Sequence, residues 1–152
     1  MNQPVPLGCT CFNLRKLTRT VSRLYDQHMA MVGLKTTQYS VLKNAAITPM
    51  PVADLAAKLA VERTTLTRNL KPLTDAGWII LAPGADSRQR IVTITDAGRD
   101  KLRQARSAWQ AAQTELENTL GLDAVRTLHA CLDLALIKLS PLLEESKHAV
   151  PE

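Results

Sequence analysis

Between Leu55 and Gly98 the spacing of apolar residues changes twice, and this change limits the fold more than any other feature of the chain. In VADLAAKLAVERTTLTRNLKPLTDAGW, Leu55, Ala56 and Leu59 recur at helical spacing, a turn follows at Ala60 and Val61, and Leu66, Leu70 and Leu73 resume the period. Gly77 is a left-handed stop for the second helix. WIILA and RIVTIT read as short strands joined by the turn-rich PGADSRQ, a hairpin signal, and Thr95 caps the helix that follows. Pro72 is the awkward residue. It cannot donate to the carbonyl of Arg68, and an interior proline costs about 3 kcal/mol. Because Leu73 continues the stripe and the stop waits at Gly77, the helix is expected to run through Pro72, with a bend in its second half.

The flanking segments are helical. Leu14, Leu17, Val21, Leu24 and His28/Met29 mark an amphipathic helix from about Cys11 to Met31, with Arg15, Lys16, Arg19 and Arg23 on its other face. Gly33 ends it, Thr36 or Thr37 caps a second helix through Tyr39, Val41 and Leu42, and Thr48-Pro49-Met50-Pro51 is a rigid connector. A long helix from Thr95 to about Thr119 carries Leu102, Ala105, Trp109, Ala112, Leu116 and Leu120 in a stripe. A last helix, Asp123 to about Glu145, is expected to bury Val125, Leu128, Leu132, Ala135, Leu136 and Leu139, and Pro141 to kink or end it. The fold class is mainly α with a small β-hairpin wing, a winged helix-turn-helix plus a helical dimerisation region. Residues 1–152 form one domain, after a polar, Pro-containing tail over 1–9. Its reading part is 36–98, and its helical parts are 10–32 and 99–146. Those helices carry more apolar surface than a small head can cover, and self-association is the economical way to bury it.

Bulk numbers narrow the function. At 152 residues, 45% apolar and 22% charged, the chain is an ordinary globular domain. Its net charge of +5 suggests an anionic partner. The surplus is five charges over 1–51 and two over 52–95, against a deficit of two over 96–152. No apolar run reaches the roughly 18 residues that span a bilayer, so no membrane role is expected. Without a secretory signal, and with three cysteines, an odd number, a disulfide framework is not expected and the cytoplasm is the default. No Ser/His/Asp, paired-carboxylate or glycine-rich phosphate motif points to an enzyme, and no cofactor is implied.

Opposite Leu66, Leu70 and Leu73, at about 100° per residue, the second short helix presents Thr64, Arg68 and Lys71, with Thr67 at the edge. Hydroxyls and cations there suit the major groove of double-stranded DNA, and Arg63 suits a flanking phosphate. Taken alone, the same residues describe a solvated polar face. Arg88 and Arg90 occupy the hairpin tip, where arginine can enter a minor groove, and Asp86 suits an intramolecular partner that aims Arg88. A winged helix used only for protein contacts is the competing reading. RNA is disfavoured because 3% aromatic residues offer no stacking platform.

LAAKLAVERTTLTRNLKPLTDAGWI followed by DSRQRIVTITDAG resembles the MarR (multiple antibiotic resistance regulator) family of bacterial repressors, with Asp86-x-Arg88, Ile94-Thr95 and Gly98 in its wing signature. The resemblance implies a homodimer built through the first and last helices and a pseudo-palindromic operator. It places Thr64, Thr65, Thr67 and Arg68 on the recognition helix and Arg88 on the wing, and RNLKPL looks like a recurrent family wording. It also implies a small aromatic or lipophilic effector, for which Arg15, Tyr25, His28, Tyr39 and Trp109 are candidate lining residues. Each is equally explained by interface or core packing.

Cys9 and Cys11 stand at the start of the first helix with Arg15 one turn on, a setting for thiol reactivity. Cys11 and Tyr25 keep the fourteen-residue spacing of the family's peroxide-sensing branch, whose tyrosine contacts the reactive thiol. Arg15 stands where that branch has a second tyrosine. Cys9 is a candidate resolving partner for an oxidised Cys11, and inert packing at a dimer seam is the alternative. No metal site is expected, since His129 and Cys131, two apart on a helix, point to opposite sides.

Overall fold

A computed structural model describes residues 8–86 and 88–148. Its helices are α1 (Thr10–Ala30), α2 (Thr36–Ile47), α3 (Val52–Lys58), α4 (Arg63–Asp75), α5 (Asp96–Leu120) and α6 (Leu122–His148), and its strands β1 (Met50–Pro51), β2 (Ile79–Pro83) and β3 (Arg90–Ile94). Residues 1–7 of the expected tail lie outside the described residues. The chain divides into two units at Gln113/Thr114.

The first unit holds the core. Leu55 of α3, Leu66, Leu70 and Leu73 of α4, Leu42 of α2, Met29 of α1 and Ile79 and Val92 of the sheet are all fully buried, and together they form one cluster. The expected hairpin is a three-stranded antiparallel sheet in the order β1-β3-β2. Met50 pairs with Val92 and Pro51 with Ile91, so the connector that proline seemed to keep free of structure supplies an edge strand. Proline is tolerated at an edge because it owes no ladder hydrogen bond on its outer side.

Four helix ends carry left-handed residues, Gly121 (φ +83°) after α5 among them. Gly33 (φ +65°) closes α1, with the Leu34 N–H on the Met29 carbonyl, and Gly77 (φ +71°) closes α4, with the Trp78 N–H on the Leu73 carbonyl. Between α3 and α4 the same motif uses Ala60 (φ 52°), where the Val61 N–H reaches the Ala56 carbonyl at 3.0 Å. A Cβ in this region costs about 1–2 kcal/mol. The turn of the helix-turn-helix therefore holds a strained alanine.

The cap of α2 is not its own threonine. Thr36 is the first helical residue, and Asp26 of α1 accepts both its N–H and its hydroxyl at 2.7 Å. A carboxylate from a neighbouring helix does what Thr36 or Thr37 was expected to do. Helix α4 passes through Pro72 as expected, which leaves the Arg68 carbonyl without an i+4 donor on an exposed face.

At the start of α5, Thr95 accepts the Gly98 N–H at 3.0 Å while its hydroxyl donates to the Gly77 carbonyl at 2.6 Å. Gly98 is buried, and a Cβ there would overlap the Trp78 carbonyl oxygen and stand 2.8 Å from Cγ1 of Ile94.

In the second unit, α6 continues through Pro141 rather than ending there. Val125 is buried and Leu128 and Leu132 are half-buried, but Ala135, Leu136 and Leu139, expected inside, are exposed in the single chain. Leu136 is 65% and Ile137 71% exposed. Among the described residues no helix is long and apolar enough to cross a membrane.

Gly98→Ala is expected to destabilise the chain by about 2 kcal/mol through overpacking against backbone. Ala60→Gly should stabilise it by about 0.5–1 kcal/mol, the relieved strain exceeding the added unfolded-state entropy. Urea denaturation of the two variants beside wild type measures both.

Candidate nucleic-acid interface

Helix α4 buries Leu66, Leu70 and Leu73 and leaves Arg63, Thr64, Thr65, Thr67, Arg68 and Lys71 exposed. At about 100° per residue, Thr64, Arg68, Lys71 and Asp75 form one row along the outer face. The two ends of that row differ. Lys71 Nζ lies 2.7 Å from Asp75 Oδ2, so the C-terminal half is locally neutral. Toward the N-terminus, no ion pair engages Arg68 among the described residues. Thr67 turns its hydroxyl back onto the Arg63 carbonyl at 2.8 Å. Glu62, at the N-cap, makes no side-chain cap, which leaves first-turn N–H groups open to solvent or to an anion.

The wing brings its arginines to the same side of the molecule. β2 and β3 pair from Ile79↔Ile94 to Pro83↔Arg90, and the tip is closed by the Gly84 N–H on the Gln89 carbonyl and the Gln89 N–H on the Asp86 carbonyl, both at 2.9 Å. Asp86 meets Arg88 through the backbone. Its carboxylate accepts the Arg88 N–H at 3.0 Å, and among the described residues no ion pair joins it to a guanidinium. The constraint therefore falls on the shape of the tip, and the Arg88 side chain stays exposed. Arg63, Arg88 and Arg90 line one groove of about 350 Å³ with Pro51, Asp54 and Asp86. Sequence reasoning gave Arg63 a flanking phosphate and did not join it to the wing. The edge strand β1, which it missed, is what sets the start of α3 beside the tip.

The remaining candidates fall into three places. Cys9, Cys11 and Arg15 line a groove at the exposed start of α1 with Phe12, Lys16 and Arg19. Cys9 is the N-cap, and its sulfur accepts the Phe12 N–H at 3.4 Å. Tyr25 lies fourteen residues along the same helix from Cys11, about 21 Å at 1.5 Å per residue. The two cannot meet within one chain. The Tyr25 hydroxyl instead donates to Gln113 Oε1 of α5. His28, half-buried, lies on the last turn of α1.

Tyr39 and Trp109 stack at 6.3 Å between centroids and 17° between planes. They line a groove of about 400 Å³ with Lys43, Leu102, Arg103 and Arg106. Lys43 Nζ stands 5.4 Å from the Trp109 ring, while Arg103 is paired with Asp100. Burial pushes the Tyr39 phenol above its ordinary pKa, and Arg106 partly opposes that shift. The structure thus joins Tyr39 to Trp109 but places Arg15 in the separate groove at the start of α1. Lys43 and Arg106 were missed, although their spacing, four after Tyr39 and three before Trp109, sets them on the same helix faces. Among the described residues no cluster of three or more His, Cys, Asp or Glu could hold a metal.

No family model matches the chain. The multiple antibiotic resistance protein MarR of Escherichia coli K12 is 28% identical over 137 residues, covering 86% of this chain and 91% of its own length. The uncharacterised HTH-type transcriptional regulator YwoH of Bacillus subtilis is 29% identical over 89 residues, 58% of this chain and 65% of that protein, so the match spans a little under two thirds of it. Among solved structures, the transcriptional regulator MosR of M. tuberculosis, in complex with DNA, matches with a TM-score of 0.73 at 34% identity, covering 86% of this chain and 97% of the other.

Proposed function

Because this chain belongs to the MarR family of transcriptional regulators, we propose that it is a cytoplasmic, homodimeric repressor that binds a pseudo-palindromic double-stranded DNA operator. The observation that carries this is the exposed row of Thr64 and Arg68 on α4, set beside a wing whose Arg88 and Arg90 share a groove with Arg63. A helix of that kind fits a major groove, and an arginine-tipped wing the adjoining minor groove. A winged helix used only for protein contacts would have no use for this alignment of cations.

Dimerisation is supported by α6, which carries Leu136 and Leu139 on one side and Leu134 and Ile137 on the other, all more than half exposed in one chain. Phe12, Leu14 and Leu17 of α1 are also exposed. Soluble monomers rarely leave so many large apolar side chains of one helix in water. The parts over 10–32 and 99–146 would supply the dimer contacts, and 36–98 the reading head.

For the switch, the paired exposed thiols favour oxidation. A hydroperoxide transfers one oxygen to the Cys11 sulfur and leaves as the alcohol, or as water from hydrogen peroxide. The sulfenic acid then condenses with the Cys9 thiol, forming a disulfide and releasing water. Bonding Cys9 to Cys11 would draw the Cys9 sulfur away from the Phe12 N–H that it accepts, weakening the cap on the first turn of α1. A second reading rests on the stacked Tyr39 and Trp109 with Lys43 and Arg106 beside them, a setting for a small aromatic anion. Such a ligand regulates only by binding one arrangement of the two heads better than the other.

A mobility-shift series on the chain's own upstream DNA should show binding that weakens steeply with salt and disappears in Arg68→Ala/Arg88→Ala. Salt-insensitive binding, or none lost in the double variant, would sink the DNA reading. Leu136→Glu/Ile137→Glu should convert a dimer to a 16.7 kDa monomer by light scattering. Mild peroxide is expected to lower operator affinity in wild type and not in Cys11→Ser. If wild type ignores oxidants, the ligand reading replaces the thiol one.

A further inference from the structure

Resting on the DNA reading above, the geometry of α4 points to a half-site that this chain recognises through one guanine and an adjacent thymine methyl, with Arg68 and Thr67 as the specifying residues.

Three local facts lead there. First, the base-reading length of α4 is short. Lys71 is held by Asp75 at 2.7 Å, and Asp75 lies in the same outer row as Thr64 and Arg68. That carboxylate would repel DNA if the C-terminal half of the helix were driven into a groove. Arg68 is thus the cation on the row's reading half, and among the described residues its guanidinium is not engaged by an ion pair. A free guanidinium at a base edge makes two parallel bonds to guanine O6 and N7, the commonest specific contact in a major groove.

Second, Thr67 has spent its proton. The hydroxyl donates to the Arg63 carbonyl at 2.8 Å, which fixes the side-chain rotamer, leaves the oxygen able only to accept, and makes the methyl the side chain's apolar contact for a base. A methyl distinguishes thymine, through its C5 methyl, from the other bases. Third, the amide of α4 is turned away. Asn69 is half-buried and lines a groove with Thr37, Ser40 and Val41 of α2 and with Leu59 and Val61. Adenine, read by a bidentate Asn or Gln, finds no such partner on the outer face of α4.

The test is selection of full-length protein on randomised duplexes at fixed salt, followed by binding to the enriched site and its single-base variants. Wild type should enrich one guanine per half-site, with thymine next to it. Arg68→Ala should lose a roughly ten- to hundredfold preference at the guanine alone, keeping its preferences elsewhere. Replacing the thymine by deoxyuridine, which lacks the methyl, should weaken wild type several-fold. Thr67→Ser should bind both duplexes alike, and Thr67→Val should still prefer thymine.

A uniform loss across all sequences in Arg68→Ala would make that residue a phosphate contact and overturn its assignment. A preference kept in Thr67→Ser but lost in Thr67→Val would assign the reading to the hydroxyl and overturn the methyl contact. Absence of any salt-dependent duplex binding by wild type is a separate outcome, which fails the DNA reading itself.

Discussion

The carbonyl oxygen of Trp78 occupies the space that a side chain at position 98 would need, and the reading head is organised around that approach. It lets the first turn of α5 lie directly on the backbone between α4 and β2. Thr95 then ties the three elements together. Its N–H donates to the Trp78 carbonyl at 3.0 Å, its hydroxyl donates to the Gly77 carbonyl, and the same oxygen accepts the Gly98 N–H. Lys101, one turn on, places its ammonium 4.9 Å from the centre of the Trp78 ring. The stop of α4 and the return of the wing are thus bonded to one threonine. In the proposed reading, this junction is what relates Arg68 on α4 to Arg88 on the wing.

Within that frame, placement of charge matters more than its amount. The segment 52–95 has a surplus of only two. It nevertheless collects Arg63, Arg88 and Arg90 along one groove, while Asp54 and Asp86 share that groove and limit its field. In the proposed reading, a face so nearly balanced would attract polyanions weakly from a distance and discriminate once docked. The larger surplus, in 1–51, includes Arg15, Lys16 and Arg19 around the exposed start of α1. On that reading, long-range attraction and close reading would fall to different parts of the chain.

What was legible in the sequence was what a local period or a local cap encodes. The stripe Leu66, Leu70 and Leu73, the stop at Gly77 and the cap at Thr95 all lie within a few residues of what they control, and each is where the spacing put it. The run through Pro72 was legible because burial of Leu73 outweighs one missing hydrogen bond whose orphan carbonyl faces water. The misses are nonlocal. A two-residue strand has no periodicity, and Met50–Pro51 exists only because β3 is there to pair with it. Asp26 caps a helix ten residues away, and Tyr25 finds Gln113 eighty-eight residues on. The exposed Leu136 and Leu139 reflect another limit, since apolar spacing says that a face wants cover without saying which molecule covers it.

The two proposed switches enter this frame by different routes. Helix α5 carries Gly98 at one end of its first four turns and Trp109 at the other, so the groove at Tyr39 and the junction at Trp78 share one stiff element. Arg99 also reaches the Ala46 carbonyl of α2 at 3.4 Å, joining both walls of that groove near the reading head. Anything that spreads α2 from α5 around Trp109 must strain this second contact or rotate the head with α5. The thiols act from farther away. Cys9 and Cys11 sit at the free end of α1, and one connection from that helix to the head is the Asp26 carboxylate holding the N-terminus of α2. A change confined to the first turn of α1 dissipates over four further turns of helix before it reaches Asp26. In the proposed dimer, oxidation would therefore move a single head only weakly, and its leverage would come from what the exposed first turn meets in the second subunit. A thiol switch would for that reason work through the proposed dimer, whereas a ligand at Tyr39 and Trp109 would bear first on the reading head of its own protomer and through it on the arrangement of the two heads.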